Sequence, residues 1–125
     1  MSDMSRVLIV EDNAINMSLS TFLVESAGYA VIGAADAEAG IRMAREQLPD
    51  LILMDIQLPG MDGLEAIGVL KKDPSTRGIP IIALTALAMK GDEARIRASG
   101  CDGYIAKPMR YQQFLAVIAS VLAPT

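Results

Sequence analysis

Val7-Leu8-Ile9-Val10-Glu11-Asp12-Asn13 and Leu51-Ile52-Leu53-Met54-Asp55 decide how this chain folds. Each is a short, unbroken apolar run that ends abruptly in acid. Continuous apolar runs, as opposed to alternating ones, suit strands buried on both faces of a parallel sheet. If the two runs are neighbouring strands pointing the same way, Glu11, Asp12 and Asp55 meet at one edge. Carboxylates a few ångströms apart repel by roughly 4 kcal/mol per pair at an effective dielectric near 20. Such a cluster is kept only where protons or a hard cation relieve the repulsion.

Outward from these two runs the same pattern recurs. Arg6–Val10, Ala30–Ala34, Leu51–Met54, Ile79–Leu84 and Tyr104–Ala106 begin roughly 21 to 28 residues apart, room for a strand, a helix and two loops each. The first intervening segment, Ala14 to Ala27, carries Ile15, Leu19, Phe22 and Leu23 at i, i+4, i+7 and i+8, with Asn13 as N-cap and Gly28 as the left-handed stop. Further helices are predicted over Ala37–Gln47, from Asp62-Gly63 to Lys72, over Gly91–Ser99 with Gly100 as C-cap, and over Tyr111–Leu122. Strict β-α alternation predicts a doubly wound α/β sheet of five parallel strands, order 2-1-3-4-5, with five helices. Ligands bind such sheets at the carboxyl ends of the strands, where strands 1 and 3 diverge. The three acids belong there.

Composition narrows the chemistry. At 125 residues, with 52% apolar and 21% charged residues, the chain reads as one globular domain spanning 1–125. Net charge is −4 without a basic stripe, which argues against nucleic acid. The single Cys101 cannot form an internal disulfide, in keeping with a reducing compartment. No apolar stretch is long enough to span a membrane, and Met1 to Arg6 leaves no room for a signal peptide, so a free-standing cytoplasmic protein is expected. There is no histidine. Histidine general bases, Ser-His-Asp triads and histidine metal ligands are therefore excluded. Any metal must be held by oxygen.

Mg²⁺ is the expected ion, with Mn²⁺ also fitting, and it usually takes one or two carboxylates plus phosphate oxygen. Asp12 and Asp55 are read as direct ligands, a backbone carbonyl near Gln57 as another, and Glu11 as acting through water. Asp55 ends the central strand before Ile56-Gln57-Leu58-Pro59-Gly60, a loop that exposes it as a nucleophile. Thr85 and Lys107 end the fourth and fifth runs and add a hydroxyl and a cation. Phosphoryl transfer needs this kind of positioning and charge neutralisation. Pro108 stiffens the turn that aims Lys107, and sequence alone reads the Lys107–Pro108 bond as trans.

Four segments together resemble the receiver domains of bacterial two-component response regulators. They are Val7 to Asn13, Leu53 to Gly63, Ala83-Leu84-Thr85-Ala86 and Tyr104-Ile105-Ala106-Lys107-Pro108. The resemblance implies a flavodoxin-like receiver fold, Asp55 as phosphoacceptor, Glu11 and Asp12 as metal acids, and Gln57 as a ligand through its carbonyl. It implies Thr85 as switch hydroxyl, Tyr104 as switch aromatic, Ala86 as a structural position, and a cis bond before Pro108. Ala88 to Glu93, Arg95-Ile96-Arg97 and Gly100-Cys101 resemble the DivK-type single-domain cell-cycle regulators of alphaproteobacteria. Glu11-Asp12 departs from the family's commoner Asp-Asp pair.

The partners implied are a histidine kinase or phosphotransfer protein and a downstream signalling protein, with neither nucleic acid nor membrane involved. The kinase is expected over Asn13, Ile15, Asn16 and Leu19 and the loop after Lys107. The output face is expected to include Met89, Met109 and Tyr111. An Mg²⁺-dependent phosphatase with an aspartate nucleophile is the enzyme alternative, but it needs an acid two residues after the nucleophile, where Gln57 stands. A flavodoxin-like cofactor module would set Glu11-Asp12 against the flavin phosphate. A receiver cut from a hybrid histidine kinase is the third reading.

Overall fold

The computed structural model describes residues 5–85, 90–106 and 110–122, the side chains of 90–93 excepted. Strands β1 (Arg6–Val10), β2 (Ala30–Ala34), β3 (Leu51–Asp55), β4 (Ile81–Thr85) and β5 (Gly103–Ala106) alternate with helices α1 (Ala14–Ser26), α2 (Ala37–Gln47), α3 (Gly63–Lys72), α4 (Lys90–Ala98) and α5 (Tyr111–Leu122). All strand pairs are parallel and the sheet order is β2-β1-β3-β4-β5, as the alternation predicts.

Successive residues of a strand face opposite sides, so each apolar run feeds two cores. Leu8, Val10, Ile52, Met54, Ile81 and Ala83 pack on one side with Ala37, Ile41 and Ala44 of α2, Ala66, Ile67 and Leu70 of α3, and Ile96 of α4. Val7, Ile9, Leu51, Leu53, Ile82, Leu84 and Ile105 pack on the other with Leu23 and Val24 of α1 and Phe114 and Ile118 of α5. Buried faces on both sides explain why the runs do not alternate with polar residues.

The helix stops follow their local chemistry. Asn13 Oδ1 accepts from the Asn16 N–H at 2.9 Å and caps α1, and Gly28 and Gly100 take the left-handed φ values of 98° and 95°. Leu48, a non-glycine, takes the left-handed stop after α2 at φ 46°. The Arg6 guanidinium bonds the Gln47 and Leu48 carbonyls and so fastens that turn to the start of β1. At the end of α3, Asp73 accepts from the Ser75 backbone N–H, the Ser75 hydroxyl and Arg45 of α2, which holds its carboxyl down to about 2.

Several boundaries differ from the sequence expectation: α1 ends at Ser26, α4 spans Lys90–Ala98, β5 starts at Gly103, and β3 and β4 are shifted as follows. β4 starts at Ile81, not Ile79, and continues through Thr85. Ile79 closes a turn through its N–H to the Thr76 carbonyl, and Pro80 has no N–H to donate. Ile81 is the next residue with an N–H, which goes to Asp102 Oδ2 at 2.8 Å, an oxygen also held by Lys71 Nζ at 2.9 Å. β3 likewise extends one residue further, because Asp55 itself pairs with Leu84.

Candidate functional site

β1 and β3 are adjacent, and their last registered pair is Val10 with Met54. One residue on, Glu11 and Asp55 stand side by side at the carboxyl edge of the sheet. Asp12 follows at once. One carboxylate oxygen each from Glu11, Asp12 and Asp55 lie within 4.8 Å of one another. Glu11 and Asp55 are each only 3% exposed, whereas Asp12 faces solvent, so the cluster is walled on the protein side and open on the other.

Backbone donors orient the two buried acids. Asp55 Oδ1 accepts from the Gln57 N–H at 2.9 Å, and Glu11 Oε2 accepts from the Asn13 N–H at 3.2 Å. The Glu11 N–H continues the β1–β2 ladder to the Ala34 carbonyl at 3.0 Å, and the Ile56 N–H continues the β3–β4 ladder to the Leu84 carbonyl at 3.1 Å. Regular backbone thus carries both acids right up to the edge. Three carboxylates held this close form an all-oxygen donor set of the kind hard divalent cations take. The cluster can hold a metal ion.

Thr85 ends β4 on the far side of Asp55, pairs with Ala106 and is 1% exposed. Tyr104 pairs with Ala83, so it shares a sheet face with Ala83 and, two residues along, with Thr85. Its half-buried ring packs against the α2–α3 core and lines a cavity of about 270 Å³ with Arg97, Cys101, Asp102 and Gly103. Hydroxyl and aromatic therefore sit diagonally across β4 and β5 on one face of the sheet.

The structure also locates the residues expected to meet partners. Asn13 is occupied as the α1 cap, Asn16 is half-buried, and Ile15, Leu19 and Tyr111 are exposed. Phe22, which the sequence reading used only as a sign of helix, is 67% exposed and continues the Ile15–Leu19 stripe. Ala86, Met89, Lys107, Pro108 and Met109 lie outside the described residues. Gly63, read from sequence only as the opening of α3, touches the Asp55 backbone more closely than any side chain allows. The Asp62-Gly63 pair marks the start of α3 but carries no sign of this contact.

A family model for the response regulator receiver domain matches residues 7–119. The chain belongs to that family. The receiver domain is 52% identical over 116 residues to the polar-differentiation response regulator DivK of Brucella anthropi, covering 93% of this chain and 94% of that protein. A response regulator structure from Chloroflexus aurantiacus superimposes with a TM-score of 0.92 at 29% identity, covering 98% of this chain and all of that one. The receiver domain of a sensor histidine kinase from Pseudomonas aeruginosa, solved with a magnesium ion coordinated in its active-site cleft, superimposes with a TM-score of 0.90 at 34% identity, covering 98% and 100%. The receiver domain is a signalling module. No described helix is long and apolar enough to cross a membrane.

Proposed function

We propose that this receiver domain accepts a phosphoryl group on Asp55 from a histidine kinase or phosphotransfer protein and uses it to switch protein–protein contacts. The observation that carries the reading is the convergence of Glu11, Asp12 and Asp55 within 4.8 Å at the sheet's switch point. Asp12 and Asp55 would hold Mg²⁺ directly, with the Gln57 carbonyl, and Glu11 would act from the outer shell. When bound, the ion offsets phosphoryl charge as the group transfers. The magnesium in the cleft of the Pseudomonas aeruginosa receiver supports the assignment.

The chain's own groups do the rest. An Asp55 oxygen forms the new P–O bond while the P–N bond to the donor histidine breaks, its electron pair leaving with the imidazole. The Gln57 N–H holds Oδ1 and so fixes the carboxylate's orientation. Thr85 would donate its hydroxyl to one phosphoryl oxygen, and Lys107, one residue beyond β5, would neutralise another. Gln57 cannot move protons as the second acid of a phosphatase would, so the phosphoaspartate persists as a signal and the domain does not turn over substrate. Uptake of one phosphoryl group from a small phosphodonor in Mg²⁺, abolished by a chelator, is the expected result; uptake indifferent to chelation refutes the reading.

Inward movement of Thr85 frees space on the face it shares with Tyr104, and Tyr104 fills it. The output face then runs over α4, β5 and α5, with Met89, Met109 and Tyr111, and Ala86 and Pro108 keep the structural roles that the family resemblance implies. Reversing a 1:99 equilibrium takes about 5.5 kcal/mol of differential interaction. Two or three charge-assisted hydrogen bonds at about 1.5–3 kcal/mol each supply it. Thr85→Ala should therefore take up phosphate yet bind the downstream partner only as the unphosphorylated form does. Normal phospho-dependent binding by that variant would defeat the switch.

The DivK relatives are named as polar-differentiation response regulators, which supports our reading of a cytoplasmic role in cell-cycle and polar-differentiation signalling. We assign that role to this chain, acting as a single receiver unit over 1–125. The upstream partner docks on Asn13, Ile15, Asn16 and Leu19, with Phe22 extending the contact.

A further inference from the structure

The loop that leaves Asp55 returns to it. α3 begins at Gly63, whose N–H donates to the Ile56 carbonyl at 3.2 Å. That carbonyl belongs to the same peptide unit as the Gln57 N–H, which donates to Asp55 Oδ1 at 2.9 Å. One peptide plane is thus held from both sides, by the first turn of α3 behind it and by the carboxylate in front. Hydrogen bonds in such a chain polarise one another, and the positive end of the α3 dipole lies behind this one. Asp62 secures that end by accepting from the Glu65 N–H at 2.9 Å.

Close approach makes the arrangement possible. A Cβ on Gly63 would stand 2.2 Å from the Asp55 carbonyl oxygen and 2.5 Å from Ile56 Cα. Both are backbone atoms, so no change of rotamer relieves the clash. Gly63 is not among the glycines with positive φ; what it supplies is space. Gly68, in the same helix, has nothing within 4 Å of the corresponding position. The demand for glycine is local to the backbone of the acceptor.

We propose that Gly63 is a positioning residue for the phosphoacceptor site: it lets α3 seat against the Asp55–Ile56 backbone, so that its N–H fixes the Ile56–Gln57 peptide and, through it, the Asp55 carboxylate. The proposal rests on the reading of Asp55 and Gln57 given above. An added methyl at 63 pushes the Asp55–Gln57 backbone away from α3, and the misplacement reaches the two groups assigned to Mg²⁺ together.

The test is a MgCl₂ titration followed by amide NMR on wild type, Asp55→Asn, Gly63→Ala and Gly68→Ala, with thermal unfolding measured without metal. Outer-shell partners of metal sites typically contribute about 10- to 100-fold to affinity, and Gly63→Ala should lose that much while Gly68→Ala matches wild type. A folded Gly63→Ala with wild-type Mg²⁺ affinity overturns the proposal, whatever its melting temperature. If Gly63→Ala does not fold, wild type decides. The Gly63 and Gln57 amides should then shift along one binding curve, and a silent Gly63 amide beside a responding Gln57 overturns the proposal. Mg²⁺ binding by wild type that Asp55→Asn lacks, with Gly63→Ala unaffected, removes Gly63's role alone. No Asp55-dependent binding removes the site reading and this inference with it.

Discussion

Helices α1 and α2 flank the same two strands, β1 and β2, from opposite faces of the sheet, yet they spend their apolar residues differently. In α2, Ala37, Ile41 and Ala44 are buried and Glu38, Arg42, Arg45 and Glu46 face solvent. In α1, Leu23 and Val24 are buried, but Ile15, Leu19 and Phe22 are 79%, 52% and 67% exposed, and Glu25 is the helix's only charged residue. Folding accounts for every large apolar side chain that α2 buries. It does not account for three on α1. An apolar stripe left in water beside the acid cluster fits a surface kept for a partner, and α2 carries nothing like it.

The contrast breaks most readily at its buried side. Ile41→Ala should cost about 2–5 kcal/mol of unfolding free energy, read from denaturant melts, while leaving phosphoryl uptake intact in the folded fraction. A cost within the usual surface range of about 0.5 kcal/mol would mean that α2 is not the packed helix described. The exposed side makes the smaller and more informative prediction. Ile15→Ala, Leu19→Ala and Phe22→Ala should each stay within about 0.5 kcal/mol of wild-type stability. Combined, they should slow transfer from a histidine kinase found by profiling at least about tenfold, equivalent to ~1.4 kcal/mol, with uptake from a small phosphodonor unchanged. Equal loss with both donors would place the stripe in the chemistry, and no loss with either would leave it without a docking role.

That same stripe marks a limit of sequence reading. The 3.6-residue spacing of Ile15, Leu19, Phe22 and Leu23 revealed a helix, because periodicity is a property of the chain. Which side of the helix faces the core depends on what packs there, and only Leu23 of those four is buried. The strands were legible because both their faces are buried, and the strand order is the one common to five-stranded doubly wound sheets. The start of β4 was not, since Ile79 is as apolar as Ile81 and only Pro80's missing donor and the distant Asp102 carboxylate separate them. The left-handed stop at Leu48 carried no glycine signal; Arg6, far off in the chain, fastens it.

At the site, Glu11, Asp12 and Asp55 were legible because each follows an apolar run, so register alone brings them together. Asn13 was legible as a cap for a local reason. Gly63 was not, because its demand comes from backbone that folds against it in three dimensions, and nothing in the residues beside it in the chain records that contact. The phosphoryl-handling roles expected of Thr85 and Lys107 came from their place at the ends of apolar runs, and the switch role expected of Tyr104 came from the family resemblance alone.

Intact-mass measurement of wild type and Asp55→Asn, each incubated with a small phosphodonor and Mg²⁺, tests the central claim most directly. Wild type should gain a single phosphoryl group and a folded Asp55→Asn none. An equal gain by Asp55→Asn, or no gain by wild type, would contradict the account.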